Sequence, residues 1–226
     1  MDYCKSFCTS LNSDLNTNFF LILQGWPPND STSFLGAWGG FCPDYDKIPV
    51  TFYWRMEINP LTKKCVDLRV APGAENVCCE HPVVHPNFAT RSASYSYAQC
   101  CNVVGDASAP MGLVKLTLDR SAVSQPNLRM GEKNENVDAY WIGPRRFAGE
   151  PLVIPKHNGN INLEEDAYLL ALVYDAVKDR SSLVVFDLER ELKKGPVCTL
   201  WLKTALPHGL HGSFDPSSTC QSSYFC

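Results

Sequence analysis

The sequence has no apolar run near the roughly 18 residues that a membrane-spanning helix requires. Its longest are Phe19 to Leu23 and Tyr168 to Tyr174. It also has no basic excess: 20 Lys and Arg stand against 24 Asp and Glu, a net charge of −4. A nucleic-acid surface would need a basic stripe, so no nucleic-acid partner is expected. The start, Met1-Asp2-Tyr3-Cys4-Lys5, lacks the basic segment and apolar stretch of a secretory signal. It is not the Arg-rich, acid-poor pattern of a transit peptide either, and the compartment stays open within the cell, cytosol or plastid. The phosphate-cradling Gly-x-x-x-x-Gly-Lys, the dinucleotide Gly-x-Gly-x-x-Gly, His-Glu-x-x-His and Gly-x-Ser-x-Gly are all missing. No window carries a helical apolar stripe; Glu189 to Lys194 reads as one short turn at most.

What is present is globular. Hydrophobic residues make up 45% of the 226 and charged residues 19%, which is too apolar and too weakly charged for a disordered chain. A chain of this length buries roughly 70% of its unfolded surface, enough for a core without covalent staples. The periodicity is that of strands. Thr51 to Ile58 alternates and is rich in aromatic and β-branched residues. The turn Asn59-Pro60-Leu61-Thr62-Lys63-Lys64 follows, then Cys65 to Val70, which together predict a hairpin. Ser92 to Tyr97, Gly112 to Leu118, Ala167 to Tyr174, Ser182 to Leu188 and Val197 to Leu202 are further strands. Gly105 to Pro110 and Gly131 to Asp138 read as loops. The class is all-β and antiparallel: a sandwich, a barrel or a propeller.

Eleven cysteines are many, and an odd number leaves at least one unpaired within the chain. Without a secretory signal the default compartment is reducing and the thiols are mostly free. Cys78-Cys79-Glu80-His81-Pro82-Val83-Val84-His85 mixes Cys and His as zinc sites do, but has no Cys-x-x-Cys hook. It reads rather as a loop entering a strand. The five histidines are His81, His85, His157, His208 and His211. Glycines lie close on both sides of His211, in Leu206-Pro207-His208-Gly209-Leu210-His211-Gly212, so the backbone there can be tight. By itself that segment also reads as a surface loop.

The closing stretch resembles the C-terminal end of the carotenoid oxygenase family. The matching text is Glu164-Glu165-Asp166-Ala167-Tyr168-Leu169-Leu170, Val173-Tyr174-Asp175, Ser182-Leu183-Val184-Val185-Phe186-Asp187 and Leu206 to Gly212. In order along the chain, Phe52-Tyr53-Trp54-Arg55, Glu80-His81-Pro82, Arg91 to Tyr97, Met111 to Lys115 and Gly149-Glu150-Pro151 resemble further segments of that family. The resemblance implies a shortened member, residues 1–226 being a single C-terminal portion of a seven-bladed β-propeller. It implies Fe(II) as cofactor, O2 and a carotenoid or apocarotenoid as partners, and cleavage of a carbon–carbon double bond into two carbonyl products. His211 matches a ligand of the iron, with Leu210 in place of the usual Phe. Glu80 and Glu150 match carboxylates that orient ligand histidines. Family members draw lipid-soluble substrate from membranes, so peripheral membrane contact is part of the expectation.

The departures are as specific. Phe20-Leu21-Ile22-Leu23-Gln24-Gly25-Trp26-Pro27 aligns with a segment where Leu21 replaces a ligand histidine and Pro27 a glutamate. The N-terminal half that carries two further ligands is not in this sequence. His81, at a position usually Phe, and His85, at one usually Asn, are not carried over as ligands. Two alternatives remain at this point: a truncated or degenerate member without catalysis of its own, and a cysteine-rich β binding module.

Overall fold

Alternation decides the best-formed strand pair. Along β11 (Ala167–Asp175) every second residue, from Ala167 to Asp175, is buried while those between stay partly exposed. Its antiparallel partner β12 (Arg180–Asp187) runs register-true from Tyr168↔Asp187 to Asp175↔Arg180. Asp175 closes their turn, its Oδ1 accepting the N–H groups of Val177 and Lys178 at 3.0 Å. Burial pushes this carboxyl up, but those N–H bonds and the Arg146 guanidinium outweigh it and hold the group below its usual value.

The computed structural model describes residues 7–10, 19–25, 52–70, 77–89, 93–101, 110–118, 136–206 and 211–215. They form three antiparallel sheets in chain order. The first is β1 (Phe7–Ser10), β2 (Phe19–Gly25), β3 (Phe52–Asn59) and β4 (Lys64–Val70). The second is β5 (Cys79–Val83), β6 (Tyr95–Cys100), β7 (Gly112–Thr117) and β8 (Val137–Trp141). The third is β10 (Leu152–Pro155), β11, β12 and β13 (Cys198–Trp201), with β9 (Arg146–Ala148) also on β11. Among the described residues the nearest thing to a helix is a 3₁₀ turn, Leu192–Lys194, and no helix is long and apolar enough to cross a membrane.

The hairpin expected around Asn59 is present as β3 and β4; Asn59 Oδ1 caps the turn by accepting the N–H groups of Leu61 and Thr62 at 3.0 and 2.9 Å. Two expectations shift. The strand placed at Ser92 to Tyr97 runs later, Tyr95–Cys100, and part of the loop placed at Gly131 to Asp138 is strand, since β8 begins at Val137. Residues 131–135 of that loop and 105–109 of the other lie outside the described residues, as do Pro27 and His208.

The second sheet is buried on both faces, which is why β6 reads as an almost continuous buried run rather than an alternation. One face, with Ala98, Cys100, Val114 and Leu116, packs in a cluster with Tyr53 of the first sheet and with Cys79. The other, with Tyr97 and Leu113, packs on Leu169, Val173, Val184 and Phe186 of the third. Among the described residues Cys78, Cys79, Cys100 and Cys101 are buried cysteines, while Cys65 and Cys198 are exposed. Burial, reinforced by neighbouring thiols, pushes Cys100 up to about 12 and raises Cys79 as well, so both stay protonated and inert. Glu164 ties the second sheet to the third: nearly buried, it accepts the N–H groups of Ser94 and Tyr95 at 2.7 and 3.0 Å. Burial lifts its carboxyl above the usual range, and those two bonds temper the rise.

Candidate functional site

Two irregularities in the sheets make the site. The first is a break in the edge of the third sheet. β9 pairs with the far end of β11 and β10 with its near end, so they are two halves of one edge. Gly149-Glu150-Pro151 interrupts them, and Gly149 N–H still reaches Leu172 O at 2.8 Å. Proline has no ladder N–H to give, which suits it to such a break. Glu150 therefore leaves the alternation of the strand and turns to the C-terminal segment. Its Oε2 accepts the Gly212 N–H at 2.9 Å and lies 3.3 Å from His211 Nδ1.

The second irregularity is a bulge in β5. Glu80 pairs with Gln99 and Val83 with Tyr97, so His81 and Pro82 together face the single residue Ala98. His81 takes φ +52°, a left-handed value that is uncommon for a side-chain-bearing residue. Its ring lies edge-on to that of His211, centroids 5.5 Å apart and planes 88° to each other.

One buried amide joins the two irregularities. Gln99 is 1% exposed. One end of its amide lies 2.8 Å from Ala148 O and 3.2 Å from Gly149 O, and the other 2.6 Å from His81 Nδ1. Carbonyl oxygens only accept, so the NH₂ faces them and Oε1 faces His81. His81 Nδ1 must then carry the proton. The same logic holds for His211, since an ionised Glu150 can only accept. In both rings the hydrogen bond places a proton on Nδ1, so Nε2 is the nitrogen that a neutral ring would offer to a metal.

Of the residues singled out in the sequence, the structure brings Glu150 and His211 together across 61 positions. Glu80 sits on β5 opposite Gln99, next to His81, and among the described residues Glu150 is the carboxylate that touches His211. Leu21 lies in β2 opposite Thr9 and Met56. His157 is exposed in the segment between β10 and β11. His85 is a core histidine: 1% exposed, it accepts the Asn87 N–H on Nδ1 at 3.2 Å and lies edge-on to Phe88. Burial lowers its basicity and keeps it neutral, against an opposing pull from Asp166. In the sequence His81 stood out only within the Cys78 to His85 cluster and was not carried over as an iron ligand; no spacing links it to position 211.

His211 and Glu150 stand at the mouth of an open hollow of about 300 Å³ walled by Phe147, Leu152, Ile154, Leu170, Leu172 and Phe214. The Leu170 and Leu172 side of β11 is opposite the one buried against the second sheet. As a metal site the arrangement is a corner. It offers imidazole nitrogens of the right tautomer with hydrogen-bonded support, but among the described residues no group of three or more His, Cys, Asp or Glu converges.

The family model of the retinal pigment epithelial membrane protein matches residues 8–216. The chain is 32% identical over 171 residues to apocarotenoid-15,15'-oxygenase of Synechocystis sp., covering 76% of this chain and 31% of that protein. It is 32% identical over 149 residues to a chloroplastic 9-cis-epoxycarotenoid dioxygenase of Oryza sativa, covering 64% of this chain and 21% of that one. The solved structure of cobalt-substituted Synechocystis apocarotenoid oxygenase superimposes with a TM-score of 0.70 at 25% identity, covering 93% of this chain and 39% of that one. The chain thus spans about a third of the length of these two Synechocystis relatives. With a family match over nearly all its length and carotenoid-cleaving enzymes as its relatives, the chain belongs to the carotenoid oxygenase family.

Proposed function

We propose that this chain is the C-terminal portion of a carotenoid cleavage dioxygenase, its three antiparallel sheets, of four, four and five strands, being blades of a β-propeller. The observation that carries the reading is the grip of Glu150 on His211. In this reading His211 is a ligand of Fe(II), and Glu150 fixes its tautomer and holds the ring through the neighbouring Gly212 N–H. Glu80 is assigned the same kind of orienting role. The iron supplies activation of O2 for oxidative cleavage of a carotenoid or apocarotenoid double bond, giving two carbonyl products. The apolar hollow beside the pair supports a further element: the remaining two thirds of a relative-length protein would cover that face and exclude water from it.

A second reading, that the chain does not catalyse by itself, is favoured by the incomplete donor set among the described residues and by the 59% exposure of His211. One experiment addresses both. The purified chain is loaded anaerobically with Fe(II), desalted, analysed for iron and given an apocarotenal in air, with His211→Ala beside it. The expected outcome is iron retained by the parent chain and lost in the variant, without turnover. Product formation by the parent chain would remove the second reading. Iron retained equally by both proteins would remove His211 as a ligand.

A further inference from the structure

We infer that His81 is a second metal-binding imidazole, paired with His211 in a two-histidine site for a divalent transition-metal ion. The inference rests on the reading of His211 as a ligand and adds a residue that the family pattern does not supply.

Three independent features point the same way. The first is direction. The bulge at His81 and Pro82 takes His81 out of the β5 alternation, and its left-handed backbone keeps it there. Conformations of this kind persist where surrounding structure holds them and gather at functional sites. The second is proton placement. Gln99 is fixed by the carbonyls of Ala148 and Gly149 and offers only an acceptor to His81 Nδ1. A metal-bound histidine is held in the same manner, its other ring nitrogen donating to an oxygen. The residues that fix Gln99 immediately precede Glu150, so a single stretch, Ala148 to Glu150, positions both rings.

The third feature is spacing. Imidazole nitrogens bind a metal at about 2.0–2.1 Å, which puts the ring centroids of two neighbouring ligands roughly 4.5–5.5 Å apart. The two rings here are 5.5 Å apart. An aromatic pair in an ordinary core could show that distance too, but His211 is 59% exposed and His81 only half-buried. Imidazole donors suit Fe(II), Co(II), Ni(II) and Zn(II), and the remaining positions would be open to water or to groups from elsewhere.

The test uses Co(II), whose absorption and paramagnetism report its ligands. The full chain, His81→Phe and His211→Ala are titrated with CoCl2 and compared by visible absorption and by proton NMR in H2O and D2O. The far-shifted exchangeable N–H signals count the bound imidazoles. The parent chain should show two such signals. His81→Phe should lose one and bind at least about tenfold more weakly, the lower end of what loss of even a supporting partner does at metal sites. His81→Gln, which keeps a polar group in the bulge, should do the same and replaces the Phe variant if circular dichroism shows that variant unfolded.

If His81→Phe and His81→Gln keep the parent affinity while His211→Ala loses it, the role of His81 is overturned and that of His211 stands. If the parent chain gives no imidazole signal up to millimolar Co(II), both fall. Binding that shows only thiolate charge-transfer absorption, unchanged in every variant, assigns the metal to cysteine and also overturns the pair.

Discussion

The two faces of the second sheet are built from alternate residues of the same strands, yet they do different work. Cys79 and Cys100 face one way and Glu80 and Gln99 the other, one position apart and paired in the same register, Cys79↔Cys100 and Glu80↔Gln99. Toward the first sheet the contacts are thiols, Ala98 and short aliphatics, with Tyr53 and Ser96 joined through their hydroxyls. The Cys79 and Cys100 thiols there are held protonated by burial. Toward the third sheet the core is larger in its side chains, and at its rim the buried Gln99 links two strand irregularities. A step of 3.3 Å along a strand is enough to pass from inert packing to a site because strand side chains alternate. Packing quality sets one face; hydrogen-bond placement sets the other.

The contrast can be broken most forcefully on the third-sheet side. Phe186 is 1% exposed and lies edge-on to Tyr140 at 5.2 Å. Phe186→Ala should cost about 3–5 kcal/mol of stability, read as a shift in the urea midpoint. On the thiol side the expected effect is smaller and of opposite origin. A Cβ on Gly112 would stand 2.7 Å from Cys100 Sγ and 3.2 Å from Tyr140 O. Gly112→Ala should therefore cost about 1–3 kcal/mol by overpacking. Adding Cys100→Ala should return part of that loss, and a coupling under about 0.5 kcal/mol in the double-mutant cycle would place the strain elsewhere.

The smallest effect sharpens the comparison. Tyr97 is fully buried among the third-sheet contacts, and its hydroxyl has no partner among the described residues. Burial raises its pKa above the usual phenol value, with Glu164 and other nearby acids adding to the shift, so the group stays neutral. Tyr97→Phe removes an unsatisfied polar atom and should leave stability unchanged or raise it by about 1 kcal/mol. A loss of that size instead would show that the hydroxyl is hydrogen-bonded.

Regular elements were legible in the sequence because burial on one face writes itself as alternation. Thr51 to Ile58, Gly112 to Leu118 and Ala167 to Tyr174 all fall on strands, and the Asn59 turn is formed by the side chain that announced it. β6 was misplaced by a few residues since both its faces are buried, which erases the period. β8 starts in a polar stretch that reads as loop, and β5, β9 and β10 are short and interrupted by Pro82 or by Gly149-Glu150-Pro151. At the site, the resemblance matched His211 to a ligand and Glu150 to a carboxylate that orients a histidine. Which histidine Glu150 meets was not legible, because the contact joins residues 61 apart through a strand break. His81 was visible in the sequence only as part of the Cys78 to His85 cluster; its direction comes from a bulge, and no periodicity encodes that.

The bulge has one more consequence. A residue on the regular part of β5 answers to one sheet or the other, and changing it disturbs a packed layer. His81 belongs to neither layer, since it and Pro82 share the place of one residue opposite Ala98. Position 81 is therefore a socket: the scaffold grips the backbone and leaves the choice of side chain to the chemistry. A change at position 81 is therefore expected to act first on the Gln99 amide and the His211 ring, and only through them on either packed layer.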